Sequence, residues 1–227
     1  MTKIKEGDWV ELDFVGRIER TNQIFDLTIE DIAKKEGIYQ NNQEYKPLKV
    51  RIGSNYLLKG LDKFLVGKET NNEYSVNIKP EEAFGKRNPK LIQLTSLAKL
   101  KRKGVNPVPG MPLNIDGMIA NVRSTSGGRV ILDFNHPLSG KELNYKLWVR
   151  RKIEKIEEKV KALCSFLNLE ENDYKIKLEN KELQIRIKKE IPNIEKIIEK
   201  RVKEQIPEIK ETKVILKNSK KEQKDKK

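Results

Sequence analysis

Two residue types are almost absent from this chain of 227 residues, which contains one cysteine, Cys164, and one histidine, His136. A single cysteine excludes a disulfide within the chain, and the two residues together are too few for a Cys/His zinc site. A nucleophilic triad would have to use His136 alone. We interpret His136, in an Asn-His-Pro sequence, as a turn residue, and Cys164, on the apolar side of a predicted helix, as a core residue.

Long apolar runs are absent as well. The first residues, MTKIKEGDWVELDF, contain no apolar segment typical of a secretory signal. No stretch approaches the roughly eighteen apolar residues of a membrane-spanning helix. We therefore expect a cytoplasmic protein with no membrane partner.

Charged side chains are abundant, with 48 Lys and Arg against 34 Asp and Glu and a formal net charge of +14. They are densest in residues 155–227, which carry 21 basic and 15 acidic side chains. Around residues 195–204 the basic side chains alternate with Glu at i,i+4 spacing, which is typical of a solvent-exposed, ion-paired helix rather than a phosphate-binding surface. Association with RNA or the ribosome is therefore the less favoured alternative.

The apolar patterns of the first 151 residues indicate an α+β protein. A leucine stripe in residues 56–67 predicts a short helix that ends at Gly67, and a helix-like spacing opens the segment 27–45. Period-two alternation and short apolar runs predict strands in residues 8–19, 47–52, 74–80, 91–94, 118–122, 129–134 and 141–151.

Residues 86–134 differ in composition from the segments on either side, because Gly, Pro, Ser and Thr cluster between their short apolar strands. The pairs Asp116-Gly117 and Gly127-Gly128 predict hairpin turns. Since strand-like segments flank the stretch, we interpret it as a small β module inserted into a loop, with Lys99–Met111 as an exposed loop of that module.

The last third of the chain predicts a helix in residues 152–169, a β-hairpin in 173–189, a second helix in 192–206 and a final strand, TKVILK. The final strand would leave a sheet edge able to pair with a second copy, so homodimerisation is a hypothesis. The Lys-rich end, 217–227, has no apolar residue and is expected to be disordered.

Five segments, in this order, resemble the signature of FKBP-type peptidyl-prolyl isomerases and in particular of their SlyD-like branch. They are VELDFVGRI, IFDLT, PLKVRIGSNYLLKGLDKFLVG, VNIKPEEAFG and NHPLSGKELNYKLWV. The resemblance covers the first 153 residues. The remainder, rich in Lys, Ile and Glu, is similar in composition to the extension of long-chain archaeal members.

The resemblance implies an FKBP-like antiparallel sheet wrapped on a short helix, with an inserted small β-rich flap domain and a C-terminal α+β domain. The implied boundaries are 1–85 plus 135–153 for the isomerase domain, 86–134 for the flap, 154–216 for the C-terminal domain and 217–227 for the tail.

The resemblance also implies an enzyme whose reaction, cis/trans isomerisation of X-Pro bonds, needs no nucleophile, cofactor or metal. Amide resonance sets a barrier of roughly 18–20 kcal/mol, which a dry apolar slot lowers by favouring the twisted amide. By resemblance, the residues lining this slot are Phe14, Phe25, Asp26, Leu57, Leu58, Leu61, Phe84 and Tyr145. Asp26 would be the main polar group, and the backbone N–H of Leu58 would bind a substrate carbonyl. Without the resemblance, the apolar residues of this set would be interpreted as core residues. For Leu61, the slot floor and the core both remain open alternatives.

Three of these positions depart from the family pattern. Phe14 and Phe84 stand where the family usually has tyrosine, and Leu61 replaces the aromatic residue of the pocket floor. One hydrogen bond to substrate and one to Asp26 would be lost with the two hydroxyls. We predict an active isomerase that is weaker or differently selective than fuller matches.

In SlyD-like proteins the inserted flap binds unfolded chains, and the flap of this chain has the composition to do so. A module of about fifty residues cannot bury all its apolar side chains well, and methionine adapts to varied partners. The candidate contact residues are Ile92, Leu94, Leu97, Leu100, Val105, Val108, Met111 and Met118. The alternative is that about half of the flap's apolar residues form its own small core.

The sequence therefore predicts a prolyl isomerase and folding chaperone whose partners are unfolded or nascent polypeptides that contain X-Pro. The alternative is a holdase chaperone with little isomerase activity. Nickel binding, which SlyD proteins owe to a tail rich in His and Cys, does not carry over because this tail has neither residue.

Overall fold

The computed structural model describes residues 2–189 and 191–216. Strands in this part of the chain are β1 (Trp9–Ile18), β2 (Ile24–Leu27), β3 (Leu48–Arg51), β4 (Asn72–Ile78), β5 (Ile92–Ser96), β6 (Pro112–Ile115), β7 (Met118–Ser126), β8 (Arg129–Asp133), β9 (Leu143–Lys152), β10 (Tyr174–Glu179), β11 (Glu182–Ile187) and β12 (Glu211–Leu216). Helices are α1 (Glu30–Lys35), α2 (Lys59–Leu65), α3 (Leu97–Arg102), α4 (Ile156–Ser165) and α5 (Ile194–Gln205). Mostly antiparallel sheets with a few short helices make this an α+β fold, as the sequence predicts.

The chain divides into two compact units. The first contains the described residues up to Gly16, Ile24–Val76, and the described residues from Tyr145 onward. The second contains Arg17–Gln23 and Asn77–Asn144. The second unit is therefore wider than the predicted insertion, and the C-terminal elements group with the first unit.

Strand β1 is the central element of a five-stranded sheet. The strand order is β2-β1-β9-β4, and β3 pairs antiparallel with β1, so that Trp9 lies opposite Arg51 and Leu12 opposite Leu48. Nearly every residue of β1 is buried, whereas buried and accessible residues alternate along much of β9. A strand covered on both faces tolerates apolar residues at consecutive positions, while a half-covered strand keeps the period-two pattern. Both strands were predicted from their apolar residues.

The second unit contains a four-stranded antiparallel sheet in the order β5-β8-β7-β6. Its hairpin turns are the two predicted from sequence, Asp116-Gly117 between β6 and β7 and Gly127-Gly128 between β7 and β8. All four residues have positive φ, between 51° and 87°, which Gly adopts without strain and Asp tolerates.

One expectation for this module was wrong. Residues 99–102, predicted as the start of the exposed loop Lys99–Met111, belong instead to helix α3 (Leu97–Arg102). The segment consists of good helix formers, and Leu100 reaches the module's core with only 4% of its surface exposed. The apolar core beneath it consists of Leu113, Ala120, Val122, Val130 and Leu132.

The C-terminal elements enclose a core of their own, to which Trp9 of β1 contributes. Strands β10 and β11 form the predicted hairpin, and β12 pairs parallel with β11 after the crossover through α5. Helix α4 begins at Ile156, later than predicted, because Ile153 stays extended and donates its N–H to the carbonyl of Trp9 at 2.8 Å. Cys164 is buried in this core, as predicted.

Strand β12 lies at an edge of the three-stranded sheet β10-β11-β12. The dimer suggested for this edge stays a prediction, and the tail 217–227 lies outside the described residues. Among the described residues, no helix has both the length and the apolar composition needed to cross a membrane.

Two neighbouring isoleucines of α5 test how much this C-terminal core contributes to stability. Ile198 is fully buried, whereas Ile197 is 38% exposed. We expect Ile198→Ala to lower the free energy of unfolding by about 2–4 kcal/mol, because the cavity adds to the lost burial. Ile197→Ala is the matched control and should cost less than about 1 kcal/mol. Denaturant unfolding measures both, and equal losses would contradict the assignment of Ile198 to the core.

Candidate active site

Three aromatic rings from different strands meet in the first unit. The ring of Tyr145 lies 5.8 Å from that of Phe14 and 5.7 Å from that of Phe25, the latter edge to face at 83°. Phe14 and Tyr145 are buried, and Phe25 is half-buried. These are favourable aromatic geometries, and the half-buried ring leaves part of the cluster open to a ligand. We call Phe14, Phe25 and Tyr145 the aromatic cluster.

Gly16 makes room for this cluster. A Cβ atom at position 16 would lie 2.7 Å from Cζ of Phe25 and 3.1 Å from Cε1 of Tyr145. A glycine inside a strand often marks such a close approach. Sequence reasoning did not single it out, although an isolated glycine within a strand pattern was the available signal.

Asp26 follows Phe25 and supplies the ionisable group of the site. Burial raises the pKa of its carboxyl, and the N–H of Leu27 opposes the rise. The carboxyl is thus partly desolvated, although the residue as a whole is exposed. Burial also raises the pKa of Tyr145 strongly, and the charge of Asp26 raises it further. The phenol of Tyr145 therefore remains protonated at neutral pH close to an acidic group.

A buried carboxylate, Asp13, ties the strands behind the cluster together. Its Oδ1 accepts from the hydroxyl of Thr28 at 2.6 Å, and its Oδ2 accepts from Arg150 at 2.6 Å. Thr28 Oγ1 also accepts from the N–H of Phe14, and the Thr28 N–H donates to the Phe14 carbonyl, both at 3.0 Å. Asp13 thus fixes the β1–β2 hairpin that carries Phe14, Phe25 and Asp26.

A loop and a short helix supply the three leucines of the predicted slot. Leu61 on α2 is buried at 3% exposure, which fits either slot floor or core, while Leu57 and Leu58 are half-buried. Asp62 on the same helix accepts the N–H of Gly53 at 3.0 Å and that of Asn55. Burial raises the pKa of Asp62, and these two donors oppose the rise.

Phe84 lies in the second unit, where its ring is stacked on His136. The ring centroids are 4.3 Å apart and nearly parallel, at 5°. The Phe84 carbonyl accepts from the hydroxyl of Ser139 at 3.0 Å, and Nδ1 of His136 accepts the N–H of Leu138 at 3.2 Å. The second contact fits the turn role predicted for His136. Its stacking on a candidate slot residue was not foreseen, because no local pattern marks a contact across 52 residues.

The candidate contact residues of the flap separate into two groups. The exposed group, with 40% to 63% of its surface accessible, consists of Leu94, Val108, Met111 and Met118. The covered group consists of Ile92, Leu97, Leu100 and Val105. Leu97 and Val105 pack against the module core and Leu100 belongs to it, so Leu100 is not available to a ligand. Ile119, outside the candidate set, is 70% exposed.

Among the described residues, no three His, Cys, Asp or Glu side chains are grouped so as to hold a metal ion.

Comparison with known proteins identifies the families that the chain matches. Residues 1–101 match the FKBP-type peptidyl-prolyl cis-trans isomerase family, and residues 93–138 match the family described as FKBP26, IF domain. A short-type peptidyl-prolyl cis-trans isomerase of Methanocaldococcus jannaschii is 34% identical over 147 residues, which cover 65% of this chain and 92% of the relative.

Two further relatives carry related names. The FKBP-type 16 kDa peptidyl-prolyl cis-trans isomerase of Escherichia coli K12 is 30% identical over 129 residues, covering 55% of this chain and 85% of the relative. The isomerase SlyD of Haemophilus influenzae is 33% identical over 109 residues, covering 46% and 56%. The chain belongs to the family of FKBP-type peptidyl-prolyl cis-trans isomerases.

The close approach at Gly16 generates a test of the aromatic cluster. We expect Gly16→Ala to destabilise the protein by about 1–3 kcal/mol, because the added methyl group overpacks the site and displaces the ring of Phe25. In a Phe25→Ala background the same substitution should lower the free energy of unfolding much less, since Cζ of Phe25, the nearest atom, is absent. Denaturant unfolding of the four proteins measures the difference. An equal cost in both backgrounds would contradict the contact.

Proposed function

We propose that this protein catalyses cis/trans isomerisation of X-Pro bonds in unfolded or nascent polypeptides, without cofactor or metal, at the aromatic cluster and Asp26. The observation that carries the proposal is the meeting of Phe14, Phe25 and Tyr145 at the hairpin that presents Asp26. A prolyl ring is apolar and the peptide around it is polar, so a half-open aromatic wall beside one carboxyl group suits this substrate.

The reaction requires little of the protein beyond a binding surface of suitable shape and polarity. Rotation about the X-Pro bond removes amide resonance, and the twisted amide is less polar than the planar one. An apolar surface that excludes water favours the twisted form relative to the planar form, which is the differential binding that accelerates a reaction. The neutral phenol of Tyr145 is available as a hydrogen-bond donor, and Asp26 as an acceptor for the substrate backbone.

The leucines and Phe84 are proposed as further parts of the slot on the resemblance alone. Leu57 and Leu58 would line it, with the Leu58 N–H binding a substrate carbonyl, and Leu61 would form its floor. Phe84 would be a further apolar wall. The missing hydroxyls at positions 14 and 84 are the reason to expect weaker or altered selectivity.

We further propose that the flap binds unfolded chains. Five accessible apolar side chains support this: Leu94, Val108, Met111, Met118 and Ile119. Apolar groups this exposed are costly in water unless a partner covers them, and a flexible methionine fits many partners.

A homodimer through the edge of β12 and a cytoplasmic location remain predictions.

The isomerase proposal is tested by NMR exchange of an unstructured X-Pro peptide, with and without catalytic amounts of the protein. We expect faster cis/trans exchange, and a fall of at least about tenfold in kcat/KM for Phe25→Ala or Asp26→Ala, because about 1.4 kcal/mol of lost transition-state binding is a factor of ten. Phe84→Ala tests the third wall in the same way. Asp31→Ala, an exposed acid on α1, is the control.

The outcomes separate the proposal from its alternatives. No acceleration by the parent protein would favour a holdase chaperone. Acceleration that survives both substitutions would mean that the slot lies elsewhere. Binding to RNA that weakens steeply with salt would favour the charge-driven alternative, because phosphate contacts release counterions.

The flap proposal is tested with Met118→Ser combined with Ile119→Ser. We expect this variant to suppress aggregation of an unfolded client at least about threefold less well, because it loses two exposed apolar side chains, while exchange of a short X-Pro peptide stays unchanged. Ile197→Ser, which alters an exposed isoleucine on α5, is the matched control. Equal suppression by both variants would contradict a binding role for the flap surface.

A further inference from the structure

The C-terminal elements reach the loop that carries Leu57 and Leu58. The ring of Tyr56 stacks on Phe166, with centroids 4.0 Å apart and planes at 11°. Phe166 is the C-cap residue of helix α4, directly after Ser165. Tyr56 immediately precedes the two leucines of the predicted slot, so its position constrains theirs.

Helix α5 holds the same tyrosine at its hydroxyl. Arg201 donates to Tyr56 Oη at 3.1 Å and Gln205 donates to it at 3.2 Å. The guanidinium of Arg201 also lies 5.8 Å from the centre of the Tyr56 ring, within the range of a cation–π contact. The backbone of Gln205 is itself anchored, because its backbone carbonyl accepts the indole N–H of Trp9 at 3.2 Å. We call Tyr56, Phe166, Arg201 and Gln205 the tyrosine clamp.

The start of the loop is held by helix α2. Asp62 on α2 accepts the N–H groups of Gly53 and Asn55. Asn55 has a φ of 59°, so the chain makes a tight turn just before Tyr56. The loop from Gly53 to Leu58 is thus fixed at its start by α2 and at Tyr56 by α4 and α5.

We propose that the C-terminal extension is part of the isomerase machinery, with Tyr56 as a positioning residue through which it orders Leu57 and Leu58. This inference rests on the proposed function for its effect on catalysis, though not for its effect on the loop. Ordering a loop before substrate arrives removes an entropic cost from binding and from the transition state. A loop held on one side only would lose this conformational entropy each time it binds substrate.

A clamp that served only as a structural anchor would give different experimental results. If the clamp served only to attach the C-terminal elements, its loss would change their stability and leave Leu57 and Leu58 unaffected. If it positions the slot, loss of the hydroxyl contacts alone should loosen the two leucines while the C-terminal core stays folded.

The experiment compares two clamp variants with matched controls in the full chain. Tyr56→Phe keeps the stacking and removes the hydroxyl, and its control is Tyr39→Phe on an exposed tyrosine. Arg201→Gln removes one donor, and its control is Lys200→Gln on the same helix. The measurements are amide hydrogen exchange at Leu57 and Leu58, kcat/KM for a short X-Pro peptide, and amide exchange at Ile198 as a report on the C-terminal core.

We expect exchange at Leu57 and Leu58 to become at least about threefold faster in both clamp variants, and kcat/KM to fall about three- to tenfold, because misplaced binding groups are costly to catalysis. Exchange at Ile198 and both controls should match the parent protein. Tyr56→Leu, which also removes the stacking, should give the larger effect on the two leucines.

Three results would be decisive. Unchanged exchange at Leu57 and Leu58 in Tyr56→Phe and Tyr56→Leu would overturn the clamp. Faster exchange with kcat/KM unchanged would overturn its catalytic role. Faster exchange together with a parent protein that shows no isomerase activity would refute the proposed function and leave the ordering of the loop supported.

Discussion

Burying a carboxylate costs several kcal/mol unless charged and hydrogen-bonding groups surround it, and Asp13 has both kinds of partner. Thr28 and Arg150 bring three segments of chain to one point: the middle of β1, the residue after β2 and the last part of β9. The strands β1, β2 and β9 also carry the three rings of the aromatic cluster. Because the buried Asp13 carboxylate must keep its partners, the register of β1, β2 and β9 relative to one another is specified. The three aromatic rings therefore meet at defined distances.

The candidate site consists of aromatic rings and one carboxyl group. With one histidine and one cysteine, the chain has little means to build a nucleophile and its base, and isomerisation of an X-Pro bond requires neither. The useful groups are instead aromatic rings, held at 5.7 to 5.8 Å, and a carboxyl that burial makes less acidic. Gly16 contributes by having no side chain, since a methyl group there would occupy the space of the Phe25 ring.

The C-terminal extension shares its core with the isomerase sheet through Trp9, and its helices hold Tyr56 beside the predicted slot. The flap, in contrast, has its own sheet and its own small core. Burying Leu100 with the apolar residues of β6, β7 and β8 gives that module stability, and other apolar side chains of the module stay exposed at its surface. The apolar residues of the chain thus divide among the buried cores, the proposed slot and the proposed contact surface.

Local patterns in the sequence determined most of the secondary structure and the family. Alternation identifies β1, β9 and the hairpin β10–β11, and Gly and Asp at positive φ mark the flap turns, because these features depend on a few consecutive residues. The ordered motifs predict Phe14, Phe25, Asp26 and Tyr145 as slot residues, and the three rings of this set meet in the structure. The tertiary structure alone decided the partners. The contact of Tyr56 with Arg201 spans 145 residues and that of Phe84 with His136 spans 52, and no local pattern encodes such pairs. Periodicity likewise does not distinguish buried Leu100 from exposed Ile119, because it reveals which side of an element is apolar and not what covers that side.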